Sequence, residues 1–206
     1  VGPSAVAYPQ HAEPRALRAD EVRAVTADFA AAARRAAEAG YDVVELHGAH
    51  GYLIHEFLSP LSNTRTDEFG GSPEGRRRFA LQTAAAVREA VGGETVLGIR
   101  LSATDWAEGG LTGEDTAELA PQLVAAGVDV LHISTGGNVP AQVPVGPGYQ
   151  VPFAAQVRRA VADSTTPGGG RPVVVTVGVI TEAAQAEQIV GTEQADAVAV
   201  GRPALR

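Results

Sequence analysis

One short segment, Glu45-Leu46-His47-Gly48-Ala49-His50-Gly51-Tyr52, gathers most of the chemistry this sequence can offer. Two imidazoles at this spacing can both donate to one oxygen, and the tyrosine hydroxyl that follows can supply a proton. That combination suits polarising a carbonyl and protonating a neighbouring carbon. A single histidine is more often a hydrogen-bonded structural group; two with a tyrosine at the end of an apolar run favour a site. A metal is the poorer reading. His47 and His50 provide only two nitrogens, and His55-Glu56 lacks the second histidine of HExxH, so no metal is expected.

Arg100 lies within the apolar stretch Gly98-Ile99-Arg100-Leu101-Ser102. A guanidinium there must meet an anion or a set of acceptors, because burying it unpaired costs several kcal/mol. Two partners are open: an ion pair with Glu45, or the negative charge of a ligand. Gly178 follows Val173–Val177, and Gly201-Arg202 follows Asp196–Val200. Glycine turns at strand ends bind phosphate through backbone N–H groups and a helix N-terminus, and Arg202 would add charge-assisted bonds. Ordinary turn chemistry is the alternative. Between Ser59 and Ser72, Arg65 and Asp67 are expected to lock a long loop internally, with Ser72-Pro73 opening the next helix. Arg76-Arg77-Arg78 reads as a solvated face before a phosphate patch.

These residues need elements to hold them. Asp20 to Gly40 reads as a helix capped by Asp20, with Val22, Val25, Phe29, Ala33 and Ala36 near one face. A strand follows over Tyr41–Leu46, then an irregular stretch over His47–Ser72. Helices are expected at Pro73–Val91, Thr112–Ala126, Val151–Ala162 and Thr181–Val190. Strands are expected at Thr95–Ser102, Val128–Ser134, Pro172–Val177 and Ala195–Val200. The alternation predicts a parallel sheet, either an open doubly wound sheet or a (β/α)8 barrel. In both, the polar residues at the strand ends mark the ligand edge. No GxGxxG follows a strand, which counts against a Rossmann site. A barrel needs eight strands and five are read, so the chain reads as the portion covering strands 4 to 8.

Composition narrows the function classes. The chain has 206 residues, 45% hydrophobic and 19% charged, enough for one globular unit. A formal charge of −8 disfavours a nucleic-acid surface. No apolar run is long enough to cross a membrane, no N-terminal signal is visible, and a cytoplasmic location is expected. Cys is absent, which removes a thiolate nucleophile or a cysteine-held cluster within this chain. All 16 basic side chains are arginine, which removes a Schiff-base lysine. Met is also absent, even at position 1, so the chain reads as a fragment or processed form.

HGAHGYLIHEFLSPLSNTRTDEFGGSPEGRRRF closely resembles the segment after the fourth strand in the Old Yellow Enzyme family of FMN-dependent ene-reductases. The likeness is greatest to its thermophilic-like bacterial class. GIRLSATD, ISTGG, PGYQVPFA, VGVIT and ADAVAVGRPALR follow in the family's order, so the resemblance covers essentially the whole chain. It implies a (β/α)8 TIM barrel with non-covalent FMN and NAD(P)H as reductant. His47 and His50 match the pair that binds the substrate's carbonyl oxygen, and Tyr52 the proton donor. Arg100 matches the arginine facing the flavin's N1–C2 edge, and Gly178, Gly201 and Arg202 the phosphate turns. The implied reaction is ping-pong: hydride passes from NAD(P)H to the flavin and then to the β-carbon of an enone, and Tyr52 protonates the α-carbon. By the resemblance, three N-terminal strands and the final helix lie outside this chain, and the longer parent is expected to be a homo-oligomer. A 2,4-dienoyl-CoA reductase-like flavoenzyme, a phosphate-binding barrel aldolase or isomerase, and a non-catalytic barrel fragment are the rivals.

Overall fold

A computed structural model describes residues 1–205. Five strands form one sheet: β1 (Val43–Gly48), β2 (Val96–Ser102), β3 (Val130–Ser134), β4 (Val173–Thr176) and β5 (Ala197–Val198). Their order in space is their order in sequence, and every pairing is parallel. A doubly wound sheet reverses direction part-way across. This one does not, so it is a run of barrel-type β/α units.

Alternate residues divide the sheet into two faces. Leu97, Ile99, Leu101, Leu131, Ile133 and Val174 are buried and join one core cluster with the helices. The opposite face carries Glu45, His47, Arg100 and His132. Register places His47 beside Arg100, and Arg100 beside His132. These polar side chains therefore share one face of the sheet, with His47 near the C-terminal end of β1.

The covering helices are α1 (Ala19–Glu38), α3 (Pro73–Val91), α4 (Gly113–Ala125), α5 (Val151–Ala160) and α6 (Ala183–Gly191). Phe57, Phe69 and Phe79 form a fully buried aromatic cluster that α2 (Leu53–Leu58) closes from the loop side. The α3 start is as expected: the Ser72 side chain accepts from the Gly75 amide at 3.1 Å, with Pro73 in the first turn. Thr112 and Asp115 exchange side-chain-to-backbone bonds at the start of α4.

Several expectations are corrected. Asp20 does not cap α1, which begins one residue earlier. Arg18 is the cap position, and Glu21 accepts its backbone N–H at 2.8 Å. The stretch after β1 is not wholly irregular, because α2 lies in it. Arg77 is buried and pairs with Glu118 at 2.9 Å, so the arginine run is not simply a solvated face. The loop lock between Arg65 and Asp67 is present, and Arg65 also holds the carbonyls of Pro3 and Leu17.

Candidate active site

His47 ends the inward row of β1, and the chain then turns sharply. His50 (φ 58°) and Gly51 (φ 75°) both adopt left-handed backbone, an uncommon conformation for histidine. Three contacts hold the turn. The His50 amide donates to Ser102 Oγ at 3.0 Å, and that hydroxyl donates to the Gly136 carbonyl at 2.7 Å. The Gly51 amide donates to Nδ1 of the fully buried His55 at 3.0 Å. Gly137 lies so close that a Cβ there would come within 2.5 Å of His50 Cα, so only glycine lets the two loops meet.

Beneath this turn lies a buried polar support. Asp105 accepts from Ser59 Oγ at 2.6 Å and from the Leu111 amide at 2.8 Å. His55 Nε2 stands 3.0 Å from Asp105 Oδ1, at ion-pair distance though off the line of a good hydrogen bond. Burial opposes charge on Asp105, yet the His55 and Ser59 contacts hold its pKa below the ordinary value.

The turn brings the three expected catalytic residues together. The His47 ring centroid lies 5.2 Å from that of His50 and 5.0 Å from that of Tyr52. Tyr52 is 62% exposed, so its hydroxyl is open to a ligand. Burial, and then the charge of Arg100, lowers the pKa of both histidines, that of His50 to about 4. Both are neutral at neutral pH.

A cleft of about 740 Å³ opens beside His50 and is walled by Arg100, Gln150, Gly178, Gly201 and Arg202. All the residues matched to flavin binding therefore line one space. Arg100 Nε is buried without a hydrogen-bond partner, and Arg100 makes no ion pair among the described residues. Glu45 turns instead to His132, whose Nδ1 lies 3.0 Å from Oε1. Of the two partners open to Arg100, the Glu45 ion pair is thus not formed, leaving a cation at the cleft wall for an anionic or carbonyl-rich ligand. Gly178 has φ 126°, and a Cβ there would meet Gln150 Nε2 at 2.9 Å. Arg202 opens a single 3₁₀ turn, Arg202–Leu205, directly after Gly201. A second cavity of about 410 Å³ is lined by His50 together with Tyr8, Tyr52, Glu56 and Asn138. His50 thus borders both spaces.

Sequence reasoning missed His132 and Gln150, and placed Ser134 at the ligand edge without a role. His132 stands in register with Arg100 and was recoverable from strand parity. Gln150 directly precedes α5, where a polar residue can reach back over the sheet edge; nothing in its neighbours singles it out.

The family model described as the NADH:flavin oxidoreductase / NADH oxidase family matches residues 2–206. The chain belongs to that family. It is 44% identical over 207 residues to an NADPH dehydrogenase of Listeria welshimeri, covering 100% of this chain and 58% of that relative. It is also 44% identical over 205 residues to an NADPH dehydrogenase of Bacillus subtilis, covering 99% of this chain and 57% of the relative. The chain thus spans somewhat more than half the length of the curated relatives it matches. Among solved structures, morphinone reductase in complex with tetrahydroNAD aligns at TM-score 0.76 and 31% identity, over 98% of this chain and 55% of that one. 2-Naphthoyl-CoA reductase aligns at TM-score 0.89 and 29% identity, over 100% of this chain and 31% of that larger one. Family and barrel fold agree with the sequence expectation. Among the described residues no helix is long and apolar enough to cross a membrane.

Proposed function

We propose that this chain carries the cofactor- and substrate-facing wall of an FMN-dependent NAD(P)H oxidoreductase that reduces activated C=C bonds of α,β-unsaturated carbonyl compounds. The observation that carries the reading is Arg100, a half-buried cation whose buried Nε has no partner, at the wall of the cleft that also holds the glycine turns. Its donors suit the electron-rich carbonyl edge of a flavin, and Gly178, Gly201 and Arg202 suit the phosphate. The NADPH dehydrogenase relatives support NADPH as the reductant.

When bound, FMN supplies hydride chemistry between NAD(P)H and the alkene's β-carbon. The chain's own residues bind and polarise. His47 and His50 hold the substrate's oxygen, where negative charge grows as the alkene is reduced. Tyr52 stands beside His47 with an open hydroxyl and gives a proton to the α-carbon. The Asp105–His55–Gly51 support keeps these groups in place.

A second reading is a larger flavoenzyme acting on CoA thioesters, supported by the likeness to 2-naphthoyl-CoA reductase. The higher identity to the NADPH dehydrogenases supports the simpler enzyme. Denaturing the purified protein, expressed at its relatives' length, tests the proposal. It should release a yellow compound with the mass of FMN. A colourless protein that takes up no added FMN would overturn it.

A further inference from the structure

His50 is tied to the interior by a chain of polar contacts. Its Nε2 lies 2.7 Å from Ser134 Oγ. Ser134 Oγ lies 3.1 Å from Gln150 Oε1, which also accepts from Thr135 Oγ1 at 2.9 Å. At the other end of the amide, Gln150 Nε2 donates to the Val177 carbonyl at 3.0 Å. That last bond fixes the amide's orientation. A carbonyl accepts only from the nitrogen, so the amide oxygen must face the two hydroxyls.

The proton count then runs outward from Gln150. An amide oxygen has no proton to give. Ser134 has one, and it lies between Oγ and Oε1. Ser134 therefore has only a lone pair left for His50, and the ring nitrogen facing it must be the donor. The ring is neutral, so it carries a single N–H. Nδ1 has no hydrogen-bond partner among the described residues.

We propose that Ser134 and Gln150 are positioning residues that set the tautomer of His50, placing its one proton on Nε2 and leaving Nδ1 as the nitrogen free to meet a ligand. At rest His50 therefore offers a lone pair, and a hydroxyl-bearing ligand is met by an acceptor at His50. For His50 to donate to an anionic oxygen through Nδ1 while staying neutral, the Ser134 hydroxyl must turn from Gln150 to His50 Nε2. That change exchanges the ring proton through solvent, lost at Nε2 and gained at Nδ1; it turns the Ser134 hydroxyl without backbone movement and breaks one bond, Ser134 to Gln150. Gln150 thus opposes the donor form of His50, and the contact between two residues outside the His-Tyr cluster tunes which oxygen species the site takes. The ligand consequence rests on the active-site reading above; the tautomer does not.

The test is long-range proton–nitrogen NMR of the ¹⁵N-histidine-labelled protein, expressed at its relatives' length, near neutral pH, with the His50 signals assigned by their loss in His50→Asn. Wild type and Ser134→Thr should both show His50 protonated at Nε2. Ser134→Ala should lose the single tautomer and populate both. Gln150→Leu frees the Ser134 hydroxyl to donate, and should move the proton to Nδ1. Wild type protonated at Nδ1, or Ser134→Ala with the same single tautomer as wild type, would overturn the proposal. Should Gln150→Leu fail to fold, the Ser134 pair decides alone. Failure of FMN uptake would sink the functional reading and leave this result standing.

Discussion

Glu45 Oε1 lies 3.0 Å from Nδ1 of His132, two strands away, reaching over Gly98 on the intervening strand that also carries Arg100. The hydrogen bond from His132 is the main cause that lowers the Glu45 pKa, and the charge of Arg100 is a lesser one. The nearest carboxylate is therefore already engaged, and Arg100 is left to serve the cleft.

Arg100→Ala accordingly separates ligand binding from stability. Charged hydrogen bonds are worth about 1.5–3 kcal/mol, so FMN affinity should fall roughly 10–100-fold. Unfolding stability should hold or rise, because a half-buried cation with an unpartnered Nε is removed. Fluorescence titration with FMN and urea unfolding of the same variant read the two effects. A large loss of stability with unchanged affinity would mean that Arg100 is a structural residue.

Tyr52→Phe removes only the hydroxyl. Reduction of the bound cofactor by NAD(P)H should stay near normal. Enone reduction should slow by roughly 10²–10⁴, the usual range for a lost general acid. Quinone reduction, which needs no proton at carbon, should persist. His47→Ala should cost about 2–4 kcal/mol in enone turnover, by the measure of a lost oxyanion donor. Comparing enone with quinone as oxidant distinguishes a proton donor from a residue that only shapes the pocket.

Asp105→Ala strands Ser59 Oγ and the Leu111 amide in the interior and removes the carboxylate that faces His55 Nε2. Unmet buried groups cost about 1–3 kcal/mol each, with partial relaxation, so a total near 3–5 kcal/mol is expected in chemical unfolding. The variant should also loosen the turn that carries His50 and Tyr52, because His55 holds the Gly51 amide. A loss below about 1 kcal/mol would show that the support is dispensable.

Stability should also fall as the pH falls from neutral toward 4. His50 stays neutral in the fold down to about 4, while the unfolded imidazole takes its proton near 6.5. Between those values the unfolded state binds more protons, so acid favours unfolding. His47 is shifted in the same direction. Urea midpoints at about pH 7 and about pH 5 measure the loss, and His50→Asn should shrink it. An equal loss in that variant would place the pH dependence elsewhere.

Much of this site was legible because its signals are local. Ser72-Pro73 and Gly92 bracket α3, and Pro73–Val91 is matched at both ends. The His-Tyr cluster and the glycine turns sit at strand ends, where parity and alternation place them on one edge. The helix Leu53–Leu58 escaped because six residues between a glycine turn and Ser59-Pro60 carry no periodic signal, and burial of Ile54, Phe57 and Leu58 stabilises it. The last strand is only Ala197–Val198, shorter than its apolar run suggests, since among the described residues it pairs with β4 alone. The Glu45–His132 pair and the Ser134–Gln150 chain depend on register across strands and on a side chain reaching back from α5. Neither is written in neighbouring residues.

The most direct measurement is an anaerobic stopped-flow experiment on the FMN-loaded protein at its relatives' length. NADPH should bleach the bound flavin. A following mixture with an enone should restore the colour and yield the saturated carbonyl in one-to-one amount. A protein whose flavin NADPH does not bleach, or whose colour returns with oxygen but not with an enone, would contradict the account.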